Sequence, residues 1–173
     1  MPEYLALERA SGLKYEYILG EARVLAGATE EHNRIALRVA AALLDAADVA
    51  ACRVVGSDQK LQPRDDGLFY YPNAQLLCDP TDNDPLIKRR PCVVVEVTSS
   101  STRSIDHGEK LLAYRGIPSL KLYLIVAQEH REVLVHRRTA DGSWDAPRLW
   151  EEGSIEIPCL AGFELSLADI YGR

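Results

Sequence analysis

The sequence is poor in several features that would each define a class of protein. It holds only 4 cysteines in 173 residues, Cys52, Cys78, Cys92 and Cys159. None forms a CxxC pair and none has a histidine within three positions, which excludes a zinc centre built on closely spaced ligands. Cys92 opens an apolar run and reads as a small packed hydrophobe. No stretch reaches the roughly 18 to 20 uncharged apolar residues of a membrane span. The start, Met1-Pro2-Glu3-Tyr4-Leu5, lacks the basic-then-apolar pattern of a secretion signal. The expectation is a cytoplasmic protein with no membrane contact. Internal repeats and low-complexity stretches are missing too. Basic residues are outnumbered 20 to 26, for a net charge of −6. Bulk charge therefore does not drive binding to nucleic acid, although basic residues gathered on one face would still allow it.

What is present is ordinary globular composition, 47% apolar and 27% charged. The length suits one domain, expected over residues 1–173. A chain of this size buries roughly 70% of its unfolded surface and needs no disulfide or metal staple.

The periodicities predict a short helix over Glu3–Arg9, then a hairpin of Lys14–Ile18 and Ala22–Ala26 around Leu19-Gly20. From Thr29 to Val49 the period changes: Ile35, Val39 and Leu43 repeat at four, as do Ala36, Ala40 and Leu44. Thr29 is the candidate N-cap, with Glu30 and Glu31 at the positive end of the helix dipole. Candidate strands follow at Cys52–Val55 and Asp58–Gln62, a turn at Pro63-Arg64-Asp65-Asp66-Gly67, and a strand over Phe69–Cys78 interrupted near Pro72. Asp79–Arg90 reads as a surface loop. Cys92–Val97 has the composition of a central strand covered on both faces. The serine cluster Ser99-Ser100-Ser101-Thr102 reads as the cap of a helix that runs to about Arg115 and stops at Gly116 and Pro118. A second hairpin, Leu120–Gln128 with Arg131–Arg138, precedes the segments Trp144–Trp150 and Ile155–Ile157 and a last short helix near Ala168. This order implies an α/β domain around one mixed sheet.

Glu96 stands out within that pattern. Inside Val93-Val94-Val95-Glu96-Val97 it places a carboxylate in the most apolar strand, where an unpaired charge costs several kcal/mol. It must meet a cation, a metal or a proton. Alternation puts Val94, Glu96 and Thr98 on one face, with Val95 and Val97 on the other. On the following helix Asp106, Lys110 and Tyr114 are spaced by four and share a face. If that helix folds back, Lys110 reaches Glu96. The plain alternatives are a Glu96 paired near the strand end and a solvated Asp106–Lys110 pair. His32, at the start of the long helix, is a candidate phosphate contact or simply a solvated first-turn residue. Asp58, Gln59 and Lys60 border a cleft or merely form a half-exposed strand face. Arg89 and Arg90 touch a phosphate backbone or solubilise a loop. Ser99 to Thr102 lack the glycine-flanked elbow of a nucleophilic serine.

Several short motifs, in order along nearly the whole chain, carry a family resemblance. They are Glu3-Tyr4-Leu5-Ala6-Leu7-Glu8, Lys14-Tyr15-Glu16-Tyr17 followed by Gly20-Glu21, His32-Asn33-Arg34-Ile35, Gly56-Ser57-Asp58, Tyr71-Pro72-Asn73, Val95-Glu96-Val97-Thr98-Ser99, Gly108-Glu109-Lys110 and Gly162-Phe163-Glu164-Leu165. The sequence resembles the Uma-two family of endonuclease-type proteins, within the PD-(D/E)XK restriction-endonuclease-like superfamily. The resemblance implies a restriction-endonuclease-like core: a mixed central β-sheet flanked by helices, with an N-terminal hairpin. It also implies a magnesium- or manganese-dependent site acting on DNA phosphodiester bonds. Carried over by position, Glu96 is the strand carboxylate, the Val97 carbonyl an extra metal ligand, and Lys110 the lysine that supports developing charge. Thr98 stands where the superfamily motif expects that lysine. Glu16 matches a further acidic position, holding the metal through water or orienting Lys110. Asn73 falls where the family's Pro-Asp motif carries a metal-binding aspartate. An amide keeps one carbonyl oxygen and loses a unit of charge, a term on the order of 4 kcal/mol at ~4 Å and an effective dielectric of 20. Asp79 lies beyond the end of its strand and is not expected to substitute. Two readings follow: a metal-dependent endonuclease weakened at Asn73, or a degenerate nuclease fold that binds nucleic acid or a protein partner. A structural Glu96–Lys110 bridge with no ligand is the third. Cleavage of both strands would imply a two-fold homodimer.

Overall fold

The computed structural model describes residues 2–25, 27–65, 67–99 and 102–172. Expectations resting on Met1, Ala26, Asp66, Ser100 and Ser101 lie outside the described residues. The chain opens with helix α1 (Pro2–Ser11). A hairpin of β1 (Tyr15–Ile18) and β2 (Glu21–Val24) follows. Its two-residue turn, Leu19-Gly20, has positive φ at both positions, 49° and 104°. That geometry matches the right-handed twist of the flanking strands.

Helix α2 (Glu30–Val49) begins at Thr29, whose hydroxyl accepts the His32 N–H at 3.2 Å. Its buried stripe is Ile35, Val39, Leu43 and Ala47. The second expected row opens outward along its length, with Leu44 exposed. Strands β3 (Arg53–Gly56), β4 (Lys60–Leu61) and β5 (Ala74–Leu77) follow. The expected strand over Asp58–Gln62 shrinks to the two residues of β4. The segment expected to be a plain loop, 79–90, contains β6 (Ile87–Lys88), which pairs in parallel with β4. A two-residue strand has no period of its own to read. The central strand is β7 (Val93–Thr98), buried throughout.

The helix after β7 is composite: α3 (Arg103–Ile105), a π-helical turn (Asp106–Lys110) and α4 (Leu111–Arg115). Thr102 makes no side-chain cap to it; its hydroxyl accepts the Ser99 N–H at 3.1 Å instead. The remaining elements are β8 (Leu122–Ala127), β9 (Val133–Arg137), β10 (Arg148–Trp150), β11 (Ser154–Glu156), β12 (Glu164–Ser166) and α5 (Leu167–Tyr171). Helix α5 starts on a capping box between Ser166 and Asp169.

Among the described residues, six strands form one mixed sheet in the order β10-β9-β8-β7-β5-β3. Only β7 and β8 run parallel within it, linked by the composite helix. Each face carries its own core. On one, Val93, Val95 and Val97 pack with Ile35, Val39 and Leu43 of α2 and with Ile155, Leu165 and Ile170 of the C-terminal segment. On the other, Val94, Tyr123 and Ile125 pack with Ile18, Tyr70, Tyr114 and Ile117. The predicted alternation of β7 therefore holds, and Glu96 faces the hairpin and the composite helix.

The cysteines are paired, Cys52 with Cys78 and Cys92 with Cys159. Cys92 packs in the core as expected, and it is also tied to the C-terminal segment. The pairing Arg53↔Leu77 brings Cys52 opposite Cys78, a register that cysteine spacing alone does not reveal. Among the described residues no helix is long and apolar enough to cross a membrane.

Candidate active site

The hairpin and the composite helix meet over the Glu96 face of the sheet. Along β1 burial alternates, so Glu16 and Ile18 turn inward. The composite helix carries Asp106, Lys110 and Tyr114 inward from successive turns, all buried. Its π-helical turn falls on the charged residues, a local widening of the kind found at functional positions.

These elements converge on Lys110. Its Nζ lies 3.1 Å from Glu16 Oε1, 3.1 Å from Glu96 Oε1 and 3.3 Å from Asp106 Oδ1. Glu96 is 3% exposed and Lys110 7%. Tyr114 donates its hydroxyl to Glu96 Oε1 at 2.7 Å. Tyr123 donates to the Asp106 carbonyl at 3.0 Å, and Tyr70 to Glu109 Oε1 at 3.2 Å. The rings of Tyr70, Tyr114 and Tyr123 meet edge-on and wall the cluster.

Three carboxylates share one ammonium, leaving a formal surplus of two negative charges in a buried site. Burial pushes the Glu96 carboxyl up to about 7, with Asp106 and Glu16 adding to the shift and Lys110 opposing it. Burial works against charge on Lys110, but the carboxylates outweigh it and hold the ammonium well above the ordinary lysine value. The lysine therefore stays charged, while Glu96 exchanges a proton near neutrality.

Asn73 lies just before β5, where the pairing Ala74↔Val95 carries it alongside Glu96. Its Oδ1 accepts the Val97 N–H at 2.7 Å. His32 borders this edge, half-buried at the start of α2. Burial lowers its pKa, while the Val97 backbone and Asp106 pull it upward and Lys110 opposes them. Glu16, Asn73, Glu96, Val97 and Lys110 are thus brought together, with His32 at their edge. The Glu96–Lys110 contact and the i,i+4 contact of Asp106 with Lys110 are both made in one network.

Other sequence candidates lie elsewhere. Asp58 pairs with Lys14, and Gln59 donates to the Pro85 carbonyl at 3.3 Å. Lys60 is buried against Glu8. Arg89 reaches Asp84 at 3.4 Å and Arg90 reaches Asp79 at 3.1 Å, both within the 79–90 segment. Asp79 sits past the far end of β5 from Asn73. Tyr123 and Tyr70 received no role from sequence. Tyr123 faces the site because β8 pairs in parallel with β7, Val94 opposite Tyr123, and register of that kind has no local signal.

The site's oxygen donors and surplus negative charge fit a hard divalent cation in kind. Among the described residues, no three His, Cys, Asp or Glu side chains converge as a ready-made metal cluster. Lys110 stands between the carboxylates instead.

The architecture places the chain in a class. It superposes on the crystal structure of a protein from Anabaena variabilis, described as a "putative nuclease belonging to DUF820", with a TM-score of 0.74 at 12% identity, over 92% of this chain and 90% of that one. The class is that of the α/β fold shared with that protein, and the expected mixed sheet with flanking helices is borne out. The sequence profile of the Uma2 (Uma-two) family, described as "Putative restriction endonuclease", matches residues 1–168. The chain belongs to that family. Two Synechocystis proteins are also similar. Uncharacterized protein slr1290 is 32% identical over 82% of this chain and 75% of its own length. Uncharacterized protein sll1609 is 30% identical over 88% of each.

Proposed function

We propose that this chain hydrolyses DNA phosphodiester bonds with a magnesium or manganese ion, at a site weakened by Asn73. The observation that carries the reading is Lys110 held by Glu16, Glu96 and Asp106 in a buried cluster beside Asn73. Glu96, the Asn73 amide oxygen and the Val97 carbonyl would hold the ion. When bound, the ion polarises the scissile phosphate and lowers the pKa of the attacking water. Lys110 presents a fixed positive charge to the negative charge that develops on the phosphate. Glu16 and Asp106 hold that ammonium in place, and Tyr114 fixes one Glu96 oxygen. His32, half-exposed at the rim, is placed to donate to a phosphate oxygen. Cutting both strands takes two such sites, so a two-fold dimer accompanies that activity. The cytoplasm is the compartment we assign.

A second reading has its own observation. The Asn73 Oδ1 accepts the Val97 N–H, so the residue brings no charge and keeps one lone pair on that oxygen, where a carboxylate would add a charge and a second oxygen. In that reading the fold binds nucleic acid or a protein partner without cutting.

Calorimetric titration of manganese and magnesium into the native protein, Asn73→Asp and Glu96→Gln separates the two. Under the first reading the native protein binds weakly, Asn73→Asp binds a hundredfold or more tighter, and Glu96→Gln abolishes binding. Plasmid nicking then follows metal occupancy. Binding by Asn73→Asp alone leaves the degenerate reading standing. Binding that survives Glu96→Gln removes this site from both.

A further inference from the structure

All four cysteines gather at the end of the sheet away from the carboxylates. Cys92 directly precedes β7, so it lies roughly 13 Å along the strand from Glu96. Its N–H donates to the Leu76 carbonyl at 2.7 Å, which sets the end of β5, and Cys78 just beyond it, beside Cys92. Cys159 comes from the turn between β11 and β12, where Ile157, Leu160 and Leu165 enter the core. Cys78, Cys92 and Cys159 open onto one cavity of about 430 Å³, whose wall also carries Asp79, Arg90 and Lys121. Residues of both disulfides therefore line the same space. Arg90 is paired with Asp79 at 3.1 Å. Lys121 is exposed, so two cations against one carboxylate leave the mouth with a net charge of about +1. Positive charge beside a disulfide draws in an anionic thiol and stabilises the thiolate that leaves.

We propose that this end of the sheet is a thiol–disulfide exchange site for anionic low-molecular-weight thiols, and that exchange there uncouples the C-terminal segment from β7. The incoming thiolate attacks Cys159, the more exposed partner. A mixed disulfide forms with Cys159, the Cys92–Cys159 bond breaks, and Cys92 leaves as a thiolate. A second small thiolate attacks the small-molecule sulfur of the mixed disulfide, releasing the Cys159 thiolate and a small-molecule disulfide. Two electrons pass to the protein, and the two cysteine thiolates take up protons from water. The site is independent of the carboxylate cluster, so its test does not depend on nuclease activity.

The test uses protein purified without reductant and three small thiols of different charge: 3-mercaptopropionate, 2-mercaptoethanol and cysteamine. Reactions are quenched with iodoacetamide and read by intact mass and peptide mapping. The starting protein should take up no alkyl groups, and thiol should open Cys92–Cys159. Comparing each thiol with itself across variants removes its intrinsic reactivity. Lys121→Glu should slow 3-mercaptopropionate roughly threefold relative to 2-mercaptoethanol, and speed cysteamine by a similar factor. Hydrogen exchange over residues 154–171 should rise once the bond is open. Four alkylated cysteines both before and after treatment with an oxidant would overturn the proposal. So would disulfides that resist all three thiols, rates that keep the same ratios in Lys121→Glu, or unchanged exchange over 154–171 after opening.

Discussion

Glu96 shows how one residue can be costly and informative at once. Burial raises its carboxyl to about 7, above the usual value near 4.3 of the unfolded chain. Between those two values the folded protein binds more protons than the unfolded one, so this group's contribution to stability falls as pH rises through that window. Above about 7 the cost is fully present; below about 4 it vanishes. Glu96→Gln removes the titration. Thermal unfolding measured from pH 4 to 8 should therefore show the native midpoint declining relative to Glu96→Gln, with the gap opening across that range. An unchanged gap would mean that Glu96 stays ionised in the fold. Asn73 is the opposite case, a neutral residue whose importance lies in the charge it does not carry.

At the scale of elements, α1 holds the strands that present the site. Glu8 is ion-paired with the buried Lys60 and accepts hydrogen bonds from Tyr71 at 2.8 Å, Tyr4 at 3.0 Å and the Tyr15 N–H at 3.2 Å. Tyr15 adjoins Glu16, and Tyr71 lies two residues before Asn73, so one carboxylate ties together both segments. The Lys60 ammonium sits over the rings of Tyr4, Phe69 and Tyr71 at 4.8, 5.6 and 5.6 Å, and cation–π attraction adds to the ion pair. Removing one member of a buried pair strands the other charge. Glu8→Ala should cost about 3 kcal/mol in chemical denaturation, and adding Lys60→Met to it should recover much of that loss. A double variant no more stable than Glu8→Ala would mean that the tyrosine bonds, rather than the stranded ammonium, set the cost.

Across the whole molecule, the sheet divides two tasks. One face carries the carboxylate cluster under the hairpin and composite helix; the other is sealed by α2 and the C-terminal segment. Cys92–Cys159 joins positions 67 residues apart, and closing a loop of that length restricts the unfolded chain by about 4 kcal/mol at most. Replacing both cysteines by alanine should lower unfolding stability by roughly 2–4 kcal/mol, and reductant should then have a smaller effect on the variant than on the native protein. An equal effect on both would assign the reductant sensitivity to Cys52–Cys78.

Much of this was legible along the chain because the signals are local. The stripe Ile35–Val39–Leu43 placed α2, Leu19-Gly20 placed the hairpin, and the alternation through Val94, Glu96 and Thr98 gave the face on which Glu96 sits. The spacing of Asp106, Lys110 and Tyr114 gave their shared helix face. The convergence of Glu16, from 80 residues upstream of Glu96, was carried by family motif rather than by any physical periodicity. What the tertiary structure alone decided is everything that depends on strand register and docking. The β4–β6 pair is too short to have a period. Tyr123 enters the wall of the site only because β8 lies parallel to β7. Asn73 meets the Val97 N–H because β5 begins one residue after it, in antiparallel register with β7. The cysteines pair because β3, β5 and β7 bring three of them to one end of the sheet and the docked C-terminal segment brings Cys159. The sequence by itself determined which residues are apolar, charged or turn-forming, since those are properties of side chains and neighbours. Which charges share one ammonium is a property of distances between segments, and only the packed sheet sets those.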